Sequence, residues 1–286
     1  MDPISVLLPV RNRAGQVGRQ LEALADQDTS RTFEVVVADN GSTDDTVAVV
    51  RSLADRFDHL EVVDAAAARG AAGARNLAAS RASAPVLALC DSDDVVERSW
   101  LDHLVAPLDD RSGVVAGRVV GLAEGQPPPA VEEVAPMRPR GPLLHFRPFA
   151  NTCNLAIRAA DFARVGGFDG SYRWSEDVEF SWRAQSAGLA VLDAPDAVVF
   201  KYRREGTGPQ WRQRYHWGQD HVRLYRQFRS AGMSRRPAAE VLGGYATLVA
   251  RLALLWNAHH RDRFLSGSAQ AAGHLTGSAL NRAWYP

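Results

Sequence analysis

VLALCDSDD, residues 86–94, runs five apolar or small residues of strand character straight into Ser92 and three aspartates. A run with no polar face suits a strand buried on both sides, as in a parallel sheet covered by helices. Ligands of such sheets bind beyond the carboxyl ends of the strands, which is where the aspartates fall. VVVADNGSTDDT, residues 35–46, repeats the arrangement upstream. Working outward, β-rich runs at 4–9, 33–38, 60–63 and 86–90 alternate with segments at 17–25, 46–56 and 73–83. The latter place apolar residues at three- and four-residue spacing. The order β-α-β-α-β-α-β predicts an α/β, Rossmann-like, mainly parallel mixed sheet with flanking helices.

Downstream, the pattern predicts a helix over 99–108, a strand over 114–120 and a Pro- and Gly-rich loop over 121–148. A strand at 152–157, a helix at 159–165, a Gly166-Gly167 break and a helix from Glu176 follow. Two separate β-rich runs at 190–192 and 197–202 end the mixed part. Beyond it only helical patterns appear, near 211–228 and 237–260, with a weaker one at the end. This divides the chain into an α/β domain over 1–205 and a helical extension over 206–286.

With 286 residues, 46% hydrophobic and 23% charged, the chain can bury one sizeable core, which excludes disorder, collagen and coiled coil. Its net charge of zero conceals an asymmetry. Residues 1–200 carry 19 basic against 29 acidic side chains, residues 201–286 carry 14 against 4. The basic tail suggests an anionic contact, a membrane surface or a phosphate-bearing acceptor. No zinc, RNP or helix-turn-helix signature accompanies it, so no nucleic-acid partner is expected. MDPISVLLPVRN lacks the basic flank and cleavage site of a signal peptide, and the apolar stretch 245–256 is short and interrupted by Arg251. Cys90 and Cys153 read as small core residues in a reducing compartment. The expected location is cytoplasmic, with peripheral contact at the inner membrane face through the basic helices.

Asp91, Asp93 and Asp94 repel one another unless a cation neutralises them, and hard carboxylate oxygens suit Mg²⁺ or Mn²⁺. The plain alternative is a solvated turn in which Asp94 caps the next helix. Ser42, Thr43, Asp44 and Asp45, after the Asn40-Gly41 turn, read as helix caps, as does Ser175 ahead of Glu176, Asp177 and Glu179. Taken alone, Arg75 reads as a surface cation and Trp182 as core.

Five motifs stand in order: PVRN at 9–12, ADNGS at 38–42, GARN at 73–76, DSDD at 91–94 and WSEDVEFSWR at 174–183. Over residues 3–203 this set resembles the inverting nucleotide-sugar glycosyltransferases of family 2. The resemblance implies a GT-A fold carrying a C-terminal helical extension. It implies a nucleotide pocket at Pro9, Asn12 and Asp39, approached by Arg75. Asp39 would accept from a base imide N–H, favouring a UDP- or dTDP-sugar. Asp91 would meet ribose or metal, and Asp93 the Mg²⁺ or Mn²⁺ that bridges the phosphates. Asp177 matches the general base of a single displacement on an acceptor hydroxyl. Trp174, Glu176, Asn154, Lys201 and Arg203 are candidates for contact with acceptor or diphosphate. Many members place a histidine after the VVF-type strand to complete the metal site, whereas this chain has Lys201, its only lysine. A protonated lysine cannot ligate a metal. It would bind the diphosphate directly, or leave the ion to Asp93, phosphates and water.

QWRQRYHWGQD at 210–220 matches the Q-x-x-R-W element of processive relatives incompletely, at Gln213, Arg214 and Trp217 with His216 where arginine is usual. Together with the missing membrane helices of those relatives, this favours transfer of one or very few sugars to a glycan, lipid-linked or small-molecule acceptor. A silent GT-A-fold module binding sugar nucleotides or glycans is the alternative, disfavoured because Asp93 and Asp177 are both kept. A nucleotidyltransferase would need a Gly-rich triphosphate loop after the first strand, where only Gly15 occurs.

Overall fold

The computed structural model describes residues 2–68, 70–138, 140–202 and 207–285. Its strands are β1 (Ile4–Val10), β2 (Phe33–Asp39), β3 (Leu60–Asp64), β4 (Val86–Cys90), β5 (Asp94–Val96), β6 (Gly113–Leu122), β7 (Asn154–Arg158) and β8 (Ala190–Tyr202). Its helices are α1 (Val17–Ala25), α2 (Thr46–Ser52), α3 (Gly70–Arg81), α4 (Trp100–Val105), α5 (Ala159–Val165), α6 (Glu176–Ser186), α7 (Thr207–Phe228), α8 (Ala238–Leu252) and α9 (Ala258–Asn281). The chain forms two compact units, residues 1–141 with 148–203, and 142–147 with 204–286.

In the first unit eight strands make one mixed sheet in the order β3-β2-β1-β4-β7-β6-β8-β5. The first four strands are parallel to one another; β7 runs antiparallel to β4 and β6, and β5 antiparallel to β8. Alternate residues of each central strand enter opposite cores. Ile4, Val6, Leu8, Val35, Val37, Val86 and Ala88 pack on the side of α1, α2 and α4. Leu7, Val36, Ala38, Leu87 and Leu89 pack on the side of α3, α5 and α6. This double burial is why the strands read as unbroken apolar runs. Pro9 sits inside β1 without breaking the sheet, because the β4 ladder has ended at the Leu7–Leu89 pair before the missing N–H is needed.

Three elements differ from the sequence expectation. Asp94 does not cap a helix: it opens the three-residue strand β5, which pairs with β8 and lies opposite Lys201. The runs at 190–192 and 197–202 are one strand. The β6 partners jump from Ala194 to Val198, so Pro195 falls in a bulge and costs no ladder bond. The helical pattern at 237–260 divides at a turn over 253–257 between α8 and α9.

In the second unit α7 and α9 approach closely through glycine. A Cβ on Gly273 would lie 2.1 Å from the Tyr215 carbonyl oxygen, and one on Gly218 2.4 Å from that of Gln270. α8 buries none of its residues and leaves Leu242 and Val249 about two-thirds exposed, at 69% and 66%. Among the described residues no helix is long and apolar enough to cross a membrane.

Candidate active site

The carboxyl ends of β1, β2 and β4 meet where the strand order reverses, between β1 and β4. Such a switch point opens a crevice for a ligand. Asn12 follows β1 in the left-handed region, φ 52°, and ties the first two strand ends together. Its N–H donates to Ser42 Oγ at 3.0 Å, and its Oδ1 accepts the Thr43 N–H at 2.8 Å. Asp44 accepts the Ala14 N–H at 3.2 Å and the Thr46 N–H at 3.1 Å. Of the expected caps, Asp45 occupies the N-cap position of α2 without a side-chain cap hydrogen bond, Asp44 holds the Thr46 N–H from one residue further out, and Ser42 and Thr43 hold Asn12. Asp39 closes β2, half-buried, with its carboxylate accepting the Ser42 N–H at 3.1 Å. Pro9 is buried beneath this loop pair in β1.

β4 delivers the acidic cluster. Asp91 Oδ1 accepts from Arg75 at 2.6 Å and its Oδ2 from Lys201 Nζ at 3.1 Å. Lys201 Nζ also donates to Asp94 Oδ2 at 3.0 Å, a consequence of the β5–β8 register. Asp93 points elsewhere, toward Arg13 at 3.3 Å, and is partly exposed. Burial pushes the Asp91 carboxyl upward, but Lys201 and Arg75 outweigh it and hold Asp91 below the usual carboxylate range. Asp94 has no such surplus. Its burial prevails over Lys201, and the carboxyl is pushed up to about 8. Cys153 joins Asp91 and Asp94 in a group whose candidate ligand atoms all lie within 4.8 Å of one another. Burial, chiefly, holds its thiol protonated.

Arg75 is not a surface cation. Its side chain is buried in α3, and it spans from Asp91 to Glu176 Oε1 at 2.9 Å, coupling the end of β4 to the start of α6. The next residue, Asn76, fixes the turn before α6. Its Nδ2 donates to the Phe168 carbonyl and its Oδ1 accepts the Phe168 N–H, both at 2.8 Å. Gly167 has φ +65°, and a Cβ there would stand 2.8 Å from Asn76 Oδ1, so both conformation and space require glycine. Arg183 clamps the same turn through the Val165 carbonyl, the Gly167 carbonyl at 2.7 Å and Glu179 at 2.8 Å. GARN is therefore a coupling motif: Arg75 grips the acids and Asn76 the turn.

Asp177 is the second residue of α6, half-buried, with Oδ1 accepting the Val178 N–H at 2.8 Å. Burial first, and then the Glu176 charge, pushes its carboxyl up to about 8. Ser175 occupies the N-cap position, yet its side chain makes no cap hydrogen bond. Trp174 lies half-buried in the loop just before α6, and Trp182 is fully buried in the core.

Asn154 is a correction. Its side chain is fully buried and occupied: Oδ1 accepts from Trp100 Nε1 at 2.9 Å, and Nδ2 donates to the Arg118 and Ala197 carbonyls at 3.0 and 2.9 Å. It pins α4 and three strands together, and its full burial keeps it from a sugar hydroxyl. Arg203 lies outside the described residues, as does the expected domain boundary at 205. Sequence reasoning missed the roles of Cys153 and Asn76. The GARN motif signalled Asn76, whereas nothing around Cys153 set it apart from a core cysteine.

The sequence pattern of the family described as "Glycosyl transferase family 2" matches residues 5–162. The chain belongs to glycosyl transferase family 2. Among curated family 2 relatives, it is 34% identical over 243 residues to validoxylamine A glucosyltransferase of Streptomyces hygroscopicus subsp. jinggangensis, covering 71% of this chain and 56% of that protein. It is 30% identical over 213 residues to pre-mycofactocin glycosyltransferase of Mycobacterium tuberculosis, covering 68% of this chain and 42% of the other. The chain thus spans about half the length of these relatives. A solved structure of the mannosyltransferase PcManGT from Pyrobaculum calidifontis, in complex with GDP-Man and Mn²⁺, superposes with a TM-score of 0.66. The identity is 19%, with 96% of this chain and 87% of that one covered, a likeness of fold. The fold of this family 2 chain is GT-A: a mixed α/β sheet with flanking helices and a C-terminal helical extension.

Proposed function

We propose that the chain is an inverting, non-processive glycosyltransferase that moves one sugar from a UDP- or dTDP-sugar to an acceptor hydroxyl. The observation that carries this reading is the Arg75 bridge, which binds the acidic end of β4 to the helix start that presents Asp177. A donor's diphosphate and an acceptor's base are needed side by side, and this bridge sets their two candidate anchors in one rigid frame. Asp39, closing β2 with a half-buried carboxylate, is suited to a pyrimidine imide N–H.

Asp177 would take the proton of the acceptor hydroxyl as that oxygen attacks the anomeric carbon and the nucleoside diphosphate leaves from the opposite face. Its raised pKa makes it a stronger base than a free aspartate, and the Val178 N–H fixes its orientation. Trp174, just ahead of it, offers an aromatic face to the acceptor sugar or ring.

The donor set fits a hard divalent ion. Asp91, Asp94 and Cys153 bring candidate ligand atoms within 4.8 Å of one another, and among the described residues Asp94 Oδ1 is buried without a hydrogen-bond partner. Asp93 and Asp91 would hold Mg²⁺ or Mn²⁺, which when bound offsets charge on the leaving diphosphate. The names of the two curated relatives favour a small-molecule acceptor over a polymer. The net charge of residues 201–286 supports a cytoplasmic chain that rests peripherally on an anionic membrane.

Asp177→Asn tests the proposal. Transfer from a UDP-sugar should fall by ~10²–10⁴-fold, while calorimetry shows UDP affinity unchanged. Near-normal turnover would remove Asp177 from the base role.

A further inference from the structure

The antiparallel register that sets Asp94 opposite Lys201 places a fixed positive charge inside the acidic cluster. Lys201 Nζ lies 3.1 Å from Asp91 Oδ2 and 3.0 Å from Asp94 Oδ2, and Asp91 Oδ1 is already taken by Arg75. Asp91, Asp94 and Cys153 could otherwise form a metal site: their ligand atoms lie within 4.8 Å of one another, and the fully buried Asp94 keeps Oδ1 open. An ammonium and a divalent ion in the gap between one pair of carboxylates repel each other, so each weakens the other's hold.

We propose that Lys201 is a resident cation that competes with a divalent ion for the Asp91–Asp94 pair and thereby sets how far this chain depends on metal. With the ammonium in place, Asp91 is held by Arg75 and Lys201 and Asp93 pairs with Arg13 at 3.3 Å, so Mg²⁺ or Mn²⁺ must displace a cation to gain more than the open Asp94 oxygen. The Lys201 side chain is 42% exposed, so its ammonium also stays within reach of a ligand in the crevice. It carries one positive charge and three donors, suited to an anionic oxygen of a diphosphate. Lys201 thus acts as a charge-supplying residue where a neutral side chain would leave the cluster dependent on an added ion. The part of the inference that concerns nucleotides rests on the donor reading above; the part that concerns metal does not.

The test is a titration of Mn²⁺ into the full chain without nucleotide, following the paramagnetic resonance signal of the free ion. Wild type and Lys201→Arg should leave most of the ion free, and Lys201→Ala and Lys201→His should bind it at least about tenfold more tightly. Circular dichroism checks the fold of each variant, and Lys201→His serves if Lys201→Ala does not fold. Wild-type binding as tight as that of the neutral variants would overturn the proposal, and so would no binding by any folded variant. A second arm titrates UDP with EDTA or with Mn²⁺. Wild-type affinity should change by less than about threefold and that of Lys201→Ala by more than about tenfold. A wild type that needs Mn²⁺ as strongly as the variant would also overturn it. If UDP binds none of the proteins, the donor reading fails, and the Mn²⁺ arm alone decides the role of Lys201.

Discussion

At Asp177 and Asp94 burial pushes two carboxyls up to about 8, and their neighbours differ enough to tell them apart. Asp94 faces Lys201, whereas Asp177 faces Glu176 and a backbone N–H. A general base must be unprotonated, so kcat/KM for transfer should rise about tenfold per pH unit below pH 8 and level off above it. Asp94→Asn should keep this acid limb if Asp177 is its source; a limb that vanishes with Asp94→Asn would shift the titration to the lysine-bound acid. At this scale the sequence displayed the acids themselves, since DSDD and WSED are local patterns. It could not display Arg75 as a buried bridge or Asn154 as a fully buried core amide. Both depend on partners far along the chain: Arg75 on Glu176, 101 residues away, and Asn154 on Trp100, 54 away.

Among the elements, the turn before α6 and the edge strand β5 position the chemistry. The turn rests on one reciprocal pair, Asn76 with the Phe168 backbone, and on glycine at 167. Gly167→Ala should cost about 1–3 kcal/mol through strained φ and the displaced amide. Asn76→Ala should cost a similar ~1–3 kcal/mol by stranding the Phe168 N–H. Denaturant unfolding of the double variant should show less than the sum, because both changes break one link; full additivity would mean the turn is held some other way. The first four strands and α1 were legible because apolar runs and helical spacing extend over enough residues to set a period. β5 was not, being three residues long and rich in acid, and neither was the bulge that joins the two halves of β8. The cluster geometry follows from that unread register.

Over the whole molecule, charge and exposed apolar surface divide unevenly. Residues 201–286 hold 14 of the 33 basic side chains with only 4 acids, and α8 carries the exposed Leu242, Val249 and Leu252. If the proposed membrane contact is electrostatic, the protein should sediment with anionic vesicles at low salt and be released at high salt. Equal binding to neutral vesicles, or a fraction indifferent to salt, would contradict that contact. The charge asymmetry was readable by counting residues. The α7–α9 contact was not, since it depends on Gly218 and Gly273 meeting across the two helices.

The proposed transfer begins with donor recognition at the ends of β1, β2 and β4. Calorimetric titration of the full chain with UDP, dTDP, GDP and ADP, each with Mg²⁺ present, tests it most directly. UDP or dTDP should bind at least about tenfold more tightly than either purine diphosphate, and Asp39→Ala should erase that preference. A folded chain that binds none of the four, or that prefers a purine, would contradict it.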